Sequence, residues 1–229
     1  MVSRKVFYNE PAYIVGLALL ALGTAMMEKA DFGMSMVVAP AYLLHLKLSQ
    51  VFPFFSFGMA EYCFQAFLLI LLGFVMRRFR LMYLLSFVTA LIYGVLLDLS
   101  MRLAAVWPGT GLYARFVYYL LGMVVCAFGI AMLFDTYIAP EAYELFVKEI
   151  AGKTGKQISL VKTAYDCISC LAGIIMSFAF FGIGHFEGVK AGTIFCALIN
   201  GGLIGICSKV LQRCFVFKDG LPWLKKIYE

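Results

Sequence analysis

Two carboxylic acids near the start of long apolar stretches are the first residues whose type and position indicate chemistry. Glu61 lies in an apolar run that ends at Met76, and Asp166 lies in one that extends to residue 183. Apolar surroundings disfavour the ionised form of a carboxyl group, so such a group either exchanges a proton or reaches nearby water. We predict that Glu61 and Asp166 are paired gating or proton-coupling residues, with simple access to water as the alternative.

A second pair of polar residues lies inside two matching apolar sequences. Tyr93 and Asn200 each occupy the fourth position of an Ala-Leu-Ile-X-Gly sequence, and the glycine is Gly94 in one and Gly201 in the other. Glycine lets a neighbouring helix or a ligand approach the backbone closely. We predict a substrate-binding site at these four residues, with a structural hydrogen bond between the two helices as the alternative.

Motifs for enzymatic catalysis are missing from the sequence. It contains no Gly-rich phosphate loop, no nucleophile elbow and no paired-histidine metal motif. Cys167 and Cys170 have a spacing that some metal sites use, but no second pair accompanies them, so packing inside a helix is favoured. We predict that the chain is not an enzyme and that it uses no metal and no other cofactor.

The composition indicates the class of protein. Hydrophobic residues make up 63% of the chain, charged residues 14%, and the mean hydropathy is +0.92, values far from those of soluble domains. The chain is therefore predicted to be an integral membrane protein. Its net charge of +6 is interpreted as a sign of membrane orientation, so membrane lipids are expected partners and nucleic acid is not.

Six apolar segments have lengths suited to crossing a membrane as helices. They cover approximately residues 11–27, 57–76, 81–106, 113–134, 163–183 and 189–211. The predicted fold class is an all-α integral membrane protein with six transmembrane helices. Residues 141–150 are amphipathic, and we expect them to lie along the membrane surface.

Two Ala-Pro pairs follow the first and fourth of these segments. They end at Pro40 and Pro140, and proline favours a first helical turn while disfavouring helix just before it. Each pair therefore predicts a broken helix, or alternatively the start of an interfacial one. We assign Pro40, Pro140 and Glu141 to the substrate site. Helix N-termini would attract an anion whereas Glu141 would repel it, so the charge of the substrate stays open.

The chain repeats itself in two halves. Gly16 and Gly23, separated by six residues, recur as Gly122 and Gly129, and the Ala-Pro pairs and Ala-Leu-Ile-X-Gly sequences follow in the same order. We therefore divide the chain into residues 1–110 and residues 111–229, each a three-helix repeat, the second carrying a basic cytoplasmic tail. Three crossings per repeat make the second repeat inverted relative to the first, an arrangement typical of secondary transporters.

Basic residues predict the orientation. Most of the 19 lysines and arginines fall in the N-terminus, the turn near residue 78, the link at 148–162 and the tail. Because cytoplasmic loops are enriched in basic residues, both termini are predicted to be cytoplasmic.

Several segments of the second half resemble the bacterial YczE/YitT family of small multi-helix membrane proteins. They are Ile138-Ala-Pro-Glu-Ala-Tyr143, Lys153-Thr-Gly-Lys156, Gly188-Val-Lys-Ala-Gly-Thr193 and Gly201-Gly-Leu-Ile-Gly205. The resemblance implies a bacterial inner-membrane protein and supplies no catalytic motif.

The leading functional hypothesis is a secondary transporter or facilitator that moves a small polar metabolite across the bacterial inner membrane. One alternative is the substrate-binding subunit of an energy-coupling-factor vitamin importer, docking on a scaffold through small residues such as Ala18, Ala21 and Ala25. Another is a regulatory membrane protein that transports nothing. Assembly as a homo-oligomer or with an importer scaffold is left open.

Overall fold

The computed structural model describes residues 5–33, 35–108, 111–184, 187–223 and 225. These residues form eight helices and two short strands. The helices are α1 (Asn9–Ala30), α2 (Ala39–Leu48), α3 (Phe57–Met76), α4 (Leu81–Ala105), α5 (Leu112–Asp135), α6 (Ala142–Thr154), α7 (Ile158–Phe181) and α8 (Ala191–Cys214). The strands are β1 (Lys5–Tyr8) and β2 (Phe215–Lys218).

Six of these helices, α1, α3, α4, α5, α7 and α8, are long and apolar enough to cross a membrane. The prediction of a six-span helical membrane protein is therefore confirmed at this level. Helix α3 has both predicted ends, whereas α7 begins at Ile158, five residues before the predicted residue 163. The early start reflects Lys162, which the sequence places in a polar link but which the structure buries inside the protein.

Helices α1 and α5 pack against each other at the centre of the bundle. Gly16 lies against Gly129 and Gly23 lies against Gly122, so the two helices run in opposite directions. A Cβ atom added to Gly23 would come within 2.6 Å of the Cys126 backbone nitrogen. The backbones therefore touch, and no larger side chain fits between them.

The other helices surround this central pair. Helix α4 packs on α1 and α8 packs on α5, while α3 lies beside α4 and α7 lies beside α8. The short helices cross between the halves, because α2 contacts α7 as well as α3, and α6 contacts α3 as well as α7.

Hydrogen bonds hold the connection between α5 and α6 inside the bundle. The carbonyl of Ala139 accepts a hydrogen bond from the Thr89 hydroxyl at 2.9 Å, and that of Pro140 accepts one from Ser86 at 2.6 Å. A backbone without helical partners is tolerated at membrane depth only when protein groups satisfy it. Helix α4 supplies those groups here.

The connection between α1 and α2 is held by charged side chains. Asp31 ends α1 in a left-handed conformation and pairs with Arg115 of α5 at 2.9 Å and with Lys190, just before α8, at 2.5 Å. The backbone nitrogen of Gly192 donates to the carbonyl of Phe32 at 3.0 Å. We call this side of the bundle the Asp31 end.

The opposite side carries both strands, and we call it the tail end. Glu10 near the start of α1 accepts a hydrogen bond from Tyr137 at 2.6 Å, which places the α5–α6 connection at this end. Arg80, before α4, pairs with Glu149 of α6 at 3.2 Å. Successive long helices therefore alternate between the two ends, as six crossings require.

The expectation of an all-α fold needs one correction. Strands β1 and β2 form a parallel pair, with Lys5 beside Phe215 and Tyr8 beside Lys218. The Phe7 ring packs against Phe215, with ring centroids 5.6 Å apart. Aromatic and β-branched residues directly after α8 favour this extended structure, which a segment interpreted only as a basic tail did not predict.

The prediction for residues 141–150 is wrong for the first turn of α6. Ala142, Tyr143, Glu144 and Leu145 are all at most 1% exposed. The amphipathic pattern is real, but its polar residue Glu144 faces a buried partner instead of water. Helix α6 therefore enters the protein interior from the tail end.

Cysteine labelling tests the predicted orientation. Gly111 and Lys156 are exposed on opposite sides of the bundle, and a Cβ atom at Gly111 meets no other atom within 4 Å. In a background without the exposed Cys63 and Cys214, we expect Gly111→Cys to react with a membrane-impermeant maleimide in intact cells. Lys156→Cys should react only after permeabilisation, and the reverse pattern would contradict cytoplasmic termini.

Glycine substitutions test the contact between α1 and α5. Gly23→Ala places a methyl group against backbone atoms that have no room to move, and overpacking of this kind destabilises by about 1–3 kcal/mol. Gly202→Ala is the matched control, because nothing lies within 4 Å of its added Cβ atom. Thermal unfolding in detergent should show a lower midpoint for Gly23→Ala alone; equal midpoints for both variants would contradict the close contact.

Candidate functional site

Five charged side chains meet in the interior of the bundle. They are Glu61 of α3, Glu141 and Glu144 at the start of α6, and Lys162 and Asp166 of α7, and none is more than 2% exposed. We call the four acids the carboxylate cluster. Buried charges require partners, so the contacts of each residue determine what the cluster does.

Lys162 is the cation of this group and joins α6 to α7. Its Nζ atom lies 3.2 Å from Glu144 Oε1 and 3.0 Å from Asp166 Oδ1. Asp166 also accepts a hydrogen bond from the Asn200 side chain of α8 at 3.1 Å. Because α7 begins at Ile158, Lys162 is part of the helix and lies one turn before Asp166. Residues four apart on a helix lie on the same face, so the two side chains meet.

Gln65 organises the other side of the cluster. Its side-chain oxygen accepts a hydrogen bond from the Ala142 backbone nitrogen at 3.1 Å, which caps α6 from the neighbouring α3. Its side-chain nitrogen lies 3.3 Å from Glu61 Oε2 and 3.4 Å from Glu141 Oε2, donating to both carboxyls. Tyr143 donates to Glu61 at 2.8 Å. Glu141 precedes α6 but makes no side-chain capping hydrogen bond.

The cluster contains more acid than its partners can neutralise. Four carboxyls face a single ammonium group, so three would remain uncompensated if all were ionised (4 − 1). Among the described residues, Glu61 Oε1 and Glu144 Oε2 have no hydrogen-bond partner. Buried unpaired carboxylate oxygens are strongly unfavourable, so the site needs a proton or a bound cation.

Burial shifts the ionisation of the residues at the start of α6. Desolvation, followed by repulsion from Glu144 and Glu61, raises the pKa of Glu141 well above its ordinary value, although Lys162 acts in the opposite direction. Desolvation and the Glu61 carboxylate likewise raise the pKa of Tyr143. The Tyr143 hydroxyl therefore stays protonated and acts as a hydrogen-bond donor.

A small closed cavity adjoins the cluster. Its volume is about 20 Å³, and its polar lining includes Thr24, Tyr93, Glu141, Glu144, Lys162 and Asn200. A space of this size holds about one water molecule. Apolar side chains, among them Leu20, Val38 and Ile130, complete the lining. In this conformation the site therefore contains a space no larger than a small ion.

Most of the site residues predicted from the sequence converge here. Tyr93, Asn200 and Glu141 line the cavity, and Glu61 and Asp166 belong to the cluster beside it. The Tyr93 hydroxyl lies 3.2 Å from the Thr24 hydroxyl. Tyr93 and Asn200 thus reach one cavity without the direct hydrogen bond to each other that was the structural alternative.

The two predicted glycines have different contacts from those expected. Gly94 packs against the Tyr62 ring of α3, and Gly201 packs against the Ser159 backbone and Thr163 of α7. They bring each helix close to its own neighbour and do not join α4 to α8. The prediction that they form part of the binding surface is therefore not supported by their contacts.

The two prolines lie behind the cavity. Pro40 is buried at the start of α2, and the cavity is lined by Val37 and Val38 from the same connection. Pro140 contributes its carbonyl to the hydrogen bond with Ser86. Both residues shape the connections that surround the cavity.

Lys162, Glu144 and Gln65 were missed as site residues. The sequence places Lys162 in the basic link at 148–162, and it places Glu144 in the segment 141–150 that is expected to lie along the membrane surface. The feature of the sequence that could have identified Lys162 is its spacing of four residues from Asp166. That spacing pairs the two side chains because α7 begins at Ile158. Gln65 follows Glu61 by one helical turn inside α3, which is a similar signal.

A second, larger cavity of about 140 Å³ opens at the Asp31 end. It is lined by Glu28, Asp31, Tyr42, Glu187 and Lys190, with the glycines at 33 and 188. Met27 and Ser35 line the central cavity, while their near neighbours Glu28 and Gly33 line this outer one. We call this second cavity the vestibule.

Six membrane-crossing helices around a buried polar site define a multi-pass helical membrane protein. The chain belongs to a family of unknown function, DUF6198, whose model matches residues 7–209. No curated protein and no solved structure matches the chain. The family match is compatible with a membrane protein family, and the likeness to YczE/YitT proteins stays a resemblance.

The buried ion pairs predict a stability effect. Lys162→Met leaves Glu144 and Asp166 without their cation, and breaking such a pair costs about 3–5 kcal/mol. We expect a marked fall in the unfolding midpoint in detergent, whereas the exposed Lys156→Met control should change little. A triple variant that also carries Glu144→Gln and Asp166→Asn should recover part of the loss. A Lys162→Met protein as stable as the control would contradict the ion pairs.

The raised pKa of Glu141 predicts how stability changes with pH. The folded protein keeps a proton on this carboxyl that the unfolded chain releases near its ordinary pKa of 4.5. Stability should therefore fall as pH rises above that value, since the folded state binds more protons.

Glu141→Gln removes the titrating carboxyl group and with it the contribution of Glu141 to the pH dependence of stability. The unfolding midpoint measured between pH 5 and pH 8 should decline less steeply than in the parent protein. Glu149→Gln is the control, because this acid of α6 lies outside the cluster and pairs with Arg80. Identical slopes for the parent and Glu141→Gln would disprove the assignment.

Proposed function

We propose that this protein is a secondary transporter or facilitator of a small polar solute, and that the central cavity is its substrate site. The observation that carries the proposal is a small buried cavity whose polar groups come from both halves of the chain. Thr24 and Tyr93 come from the first half, and Glu141 and Asn200 come from the second. Sites of secondary transporters typically lie between two such halves, with discontinuous helices beside them.

The packing of the glycines supports an inverted repeat. Gly16 and Gly23 correspond in sequence to Gly122 and Gly129, and each touches the glycine that corresponds to the other. Exchanging the two halves therefore leaves the contact between α1 and α5 unchanged. Other contacts have the same symmetry. The contact of α1 with α4 corresponds to that of α5 with α8, and the contact of α3 with α4 corresponds to that of α7 with α8. We assign residues 1–110 and 111–229 to the two repeats on this basis.

Two closures separate the central cavity from the ends of the bundle. Towards the Asp31 end, Met27 and Ser35 line the central cavity, and their sequence neighbours Glu28 and Gly33 line the vestibule. Towards the tail end, the buried first turn of α6 covers it. Opening one closure at a time would give alternating access, with Glu61 and Asp166 as the proposed gating or proton-coupling groups in the bacterial inner membrane.

The alternative of an importer subunit loses one of its arguments. Ala21 and Ala25 were expected on a docking surface, but both are fully buried between α1 and the rest of the bundle, and Ala18 alone is exposed. The small residues of α1 therefore serve internal packing. This favours a protein that acts without an importer scaffold.

A ligand screen tests the proposed function. The detergent-purified protein should be stabilised thermally by at least one compound of a library of cationic, neutral and anionic metabolites, because binding to the folded state raises its stability. Asn200→Leu should abolish that shift, and Tyr93→Phe, which retains the ring, should weaken it by roughly tenfold in affinity. Gly202→Ala is the control that retains full binding.

Uptake of the same compound into proteoliposomes preloaded with it then tests transport itself. Counterflow in the parent protein and its loss in Asn200→Leu would support the proposal. A ligand shift that survives Asn200→Leu intact would remove the central cavity as the site, and binding without counterflow would remove transport.

A further inference from the structure

The sequence leaves the charge of the solute open. The charged side chains that border the central cavity indicate which charge fits there. The cavity is bordered by Lys162, but the ammonium group of this residue is already held by Glu144 and Asp166. An anion entering the cavity would compete with two carboxylates for the same group. It would also meet Glu141, a carboxyl group that the folded protein keeps protonated and that offers no positive charge. The central cavity is therefore unsuited to an anion.

The vacant positions at the cavity are hydrogen-bond acceptors. Glu144 lines the cavity at 1% exposure, and its Oε2 atom has no hydrogen-bond partner among the described residues. An acceptor buried in this way calls for a donor. A ligand with N–H groups and a positive charge would supply the donor and reduce the excess of negative charge in one step.

The size of the cavity limits the ligand further. A closed space of about 20 Å³ accommodates one water-sized group, which excludes a metabolite of many atoms in this conformation. An ammonium ion has about the size of a water molecule and carries donors in four directions.

The charge of the vestibule at the Asp31 end favours the same class of ion. The vestibule is lined by three acids, Glu28, Asp31 and Glu187, and by one lysine, Lys190. Lys190 and Arg115 both pair with Asp31, which leaves Glu28 and Glu187 without an ion pair among the described residues. Excess negative charge in a concave site raises the local concentration of cations, so the vestibule attracts the class of ion that the central cavity fits.

From these contacts we infer that the solute of the central cavity is a small cation with hydrogen-bond donors, of the size of an ammonium ion. The inference rests on the proposed function, because it names the substrate class of the same site. Glu144 would receive the cation, Glu141 would give up its proton as the cation binds, and Tyr93 and Asn200 would complete the surroundings of the ion.

Thermal unfolding of the full-length protein in detergent tests the inference with ammonium chloride itself as the probe. Tetramethylammonium chloride keeps the ionic strength constant, because it carries the same charge but no N–H donor and exceeds the cavity in size. We expect ammonium to raise the unfolding midpoint by about 3 °C at ten times its Kd. Potassium chloride, with a similar ionic size and no hydrogen-bond donor, should give a clearly smaller shift.

Two variants show whether the shift arises in the cavity. Glu144→Gln and Glu141→Gln should each lower the apparent affinity for ammonium at least tenfold, and Glu149→Gln of the same helix should retain it. Size-exclusion chromatography identifies folded preparations, and Glu141→Gln keeps the test valid if Glu144→Gln fails to fold. A shift of equal size with potassium, or an ammonium shift that survives both variants, would overturn the inference.

Proteoliposomes separate this inference from the proposed function. An ammonium concentration jump should produce a current or a change in lumenal pH beyond that of protein-free and Glu144→Gln liposomes. Ammonium binding without any such response would retain the cation site and reject transport. Transport of a neutral or anionic compound without ammonium binding would reject the cation and retain transport.

Discussion

The buried ammonium group of Lys162 is the interaction on which the arrangement of the interior depends. It holds Glu144 of α6 and Asp166 of α7 within 3.2 Å, buried in the interior of the bundle. Removing either acid would leave a buried charge without its full set of partners, which is far more unfavourable than losing an exposed pair. Helix α6 is therefore held with its first turn inside the protein, and that turn forms one wall of the central cavity.

This ion pair also explains how the polar residues divide into two groups. Lys162 neutralises the acids on its own side, while Gln65 bridges Glu61 and Glu141 on the other side with an uncharged amide. An amide donates hydrogen bonds but does not balance charge. The site is consequently well ordered and still electrostatically incomplete, and either a proton or a bound cation would reduce its excess negative charge.

The long helices were predictable because a membrane span is a strong and local signal. Both ends of α3 follow directly from the apolar sequence between Phe57 and Met76. The start of α7 and the path of α6 were not predictable in this way, because a lysine in a polar link looks the same whether it meets water or a buried acid. Only the contact between Lys162 and Glu144, which lie on different helices, distinguishes the two.

The candidate site was predictable in part for a related reason. The matching Ala-Leu-Ile-X-Gly sequences identify Tyr93 and Asn200 as equivalent residues, and both reach the cavity. The same match says nothing about which neighbour each glycine meets, and Gly94 and Gly201 pack against α3 and α7. Equivalence between repeats is encoded in one stretch of sequence, whereas the partner of a residue depends on the whole fold.

The pairing of β1 with β2 has a consequence for the order in which the protein assembles. Asn9 and Asp219, which join the same region by a hydrogen bond of 2.6 Å, are 210 positions apart in the chain. Strand β2 follows the last membrane-spanning helix, so it is synthesised after all six spans. During synthesis β1 therefore stays unpaired until the six spans have been made. Contacts between residues so far apart in sequence form late, so β1 pairs with β2 only after the helices have assembled. The extended segment before α1 therefore spends most of biosynthesis with unpaired backbone groups, at the stage when strand edges are most prone to wrong partners.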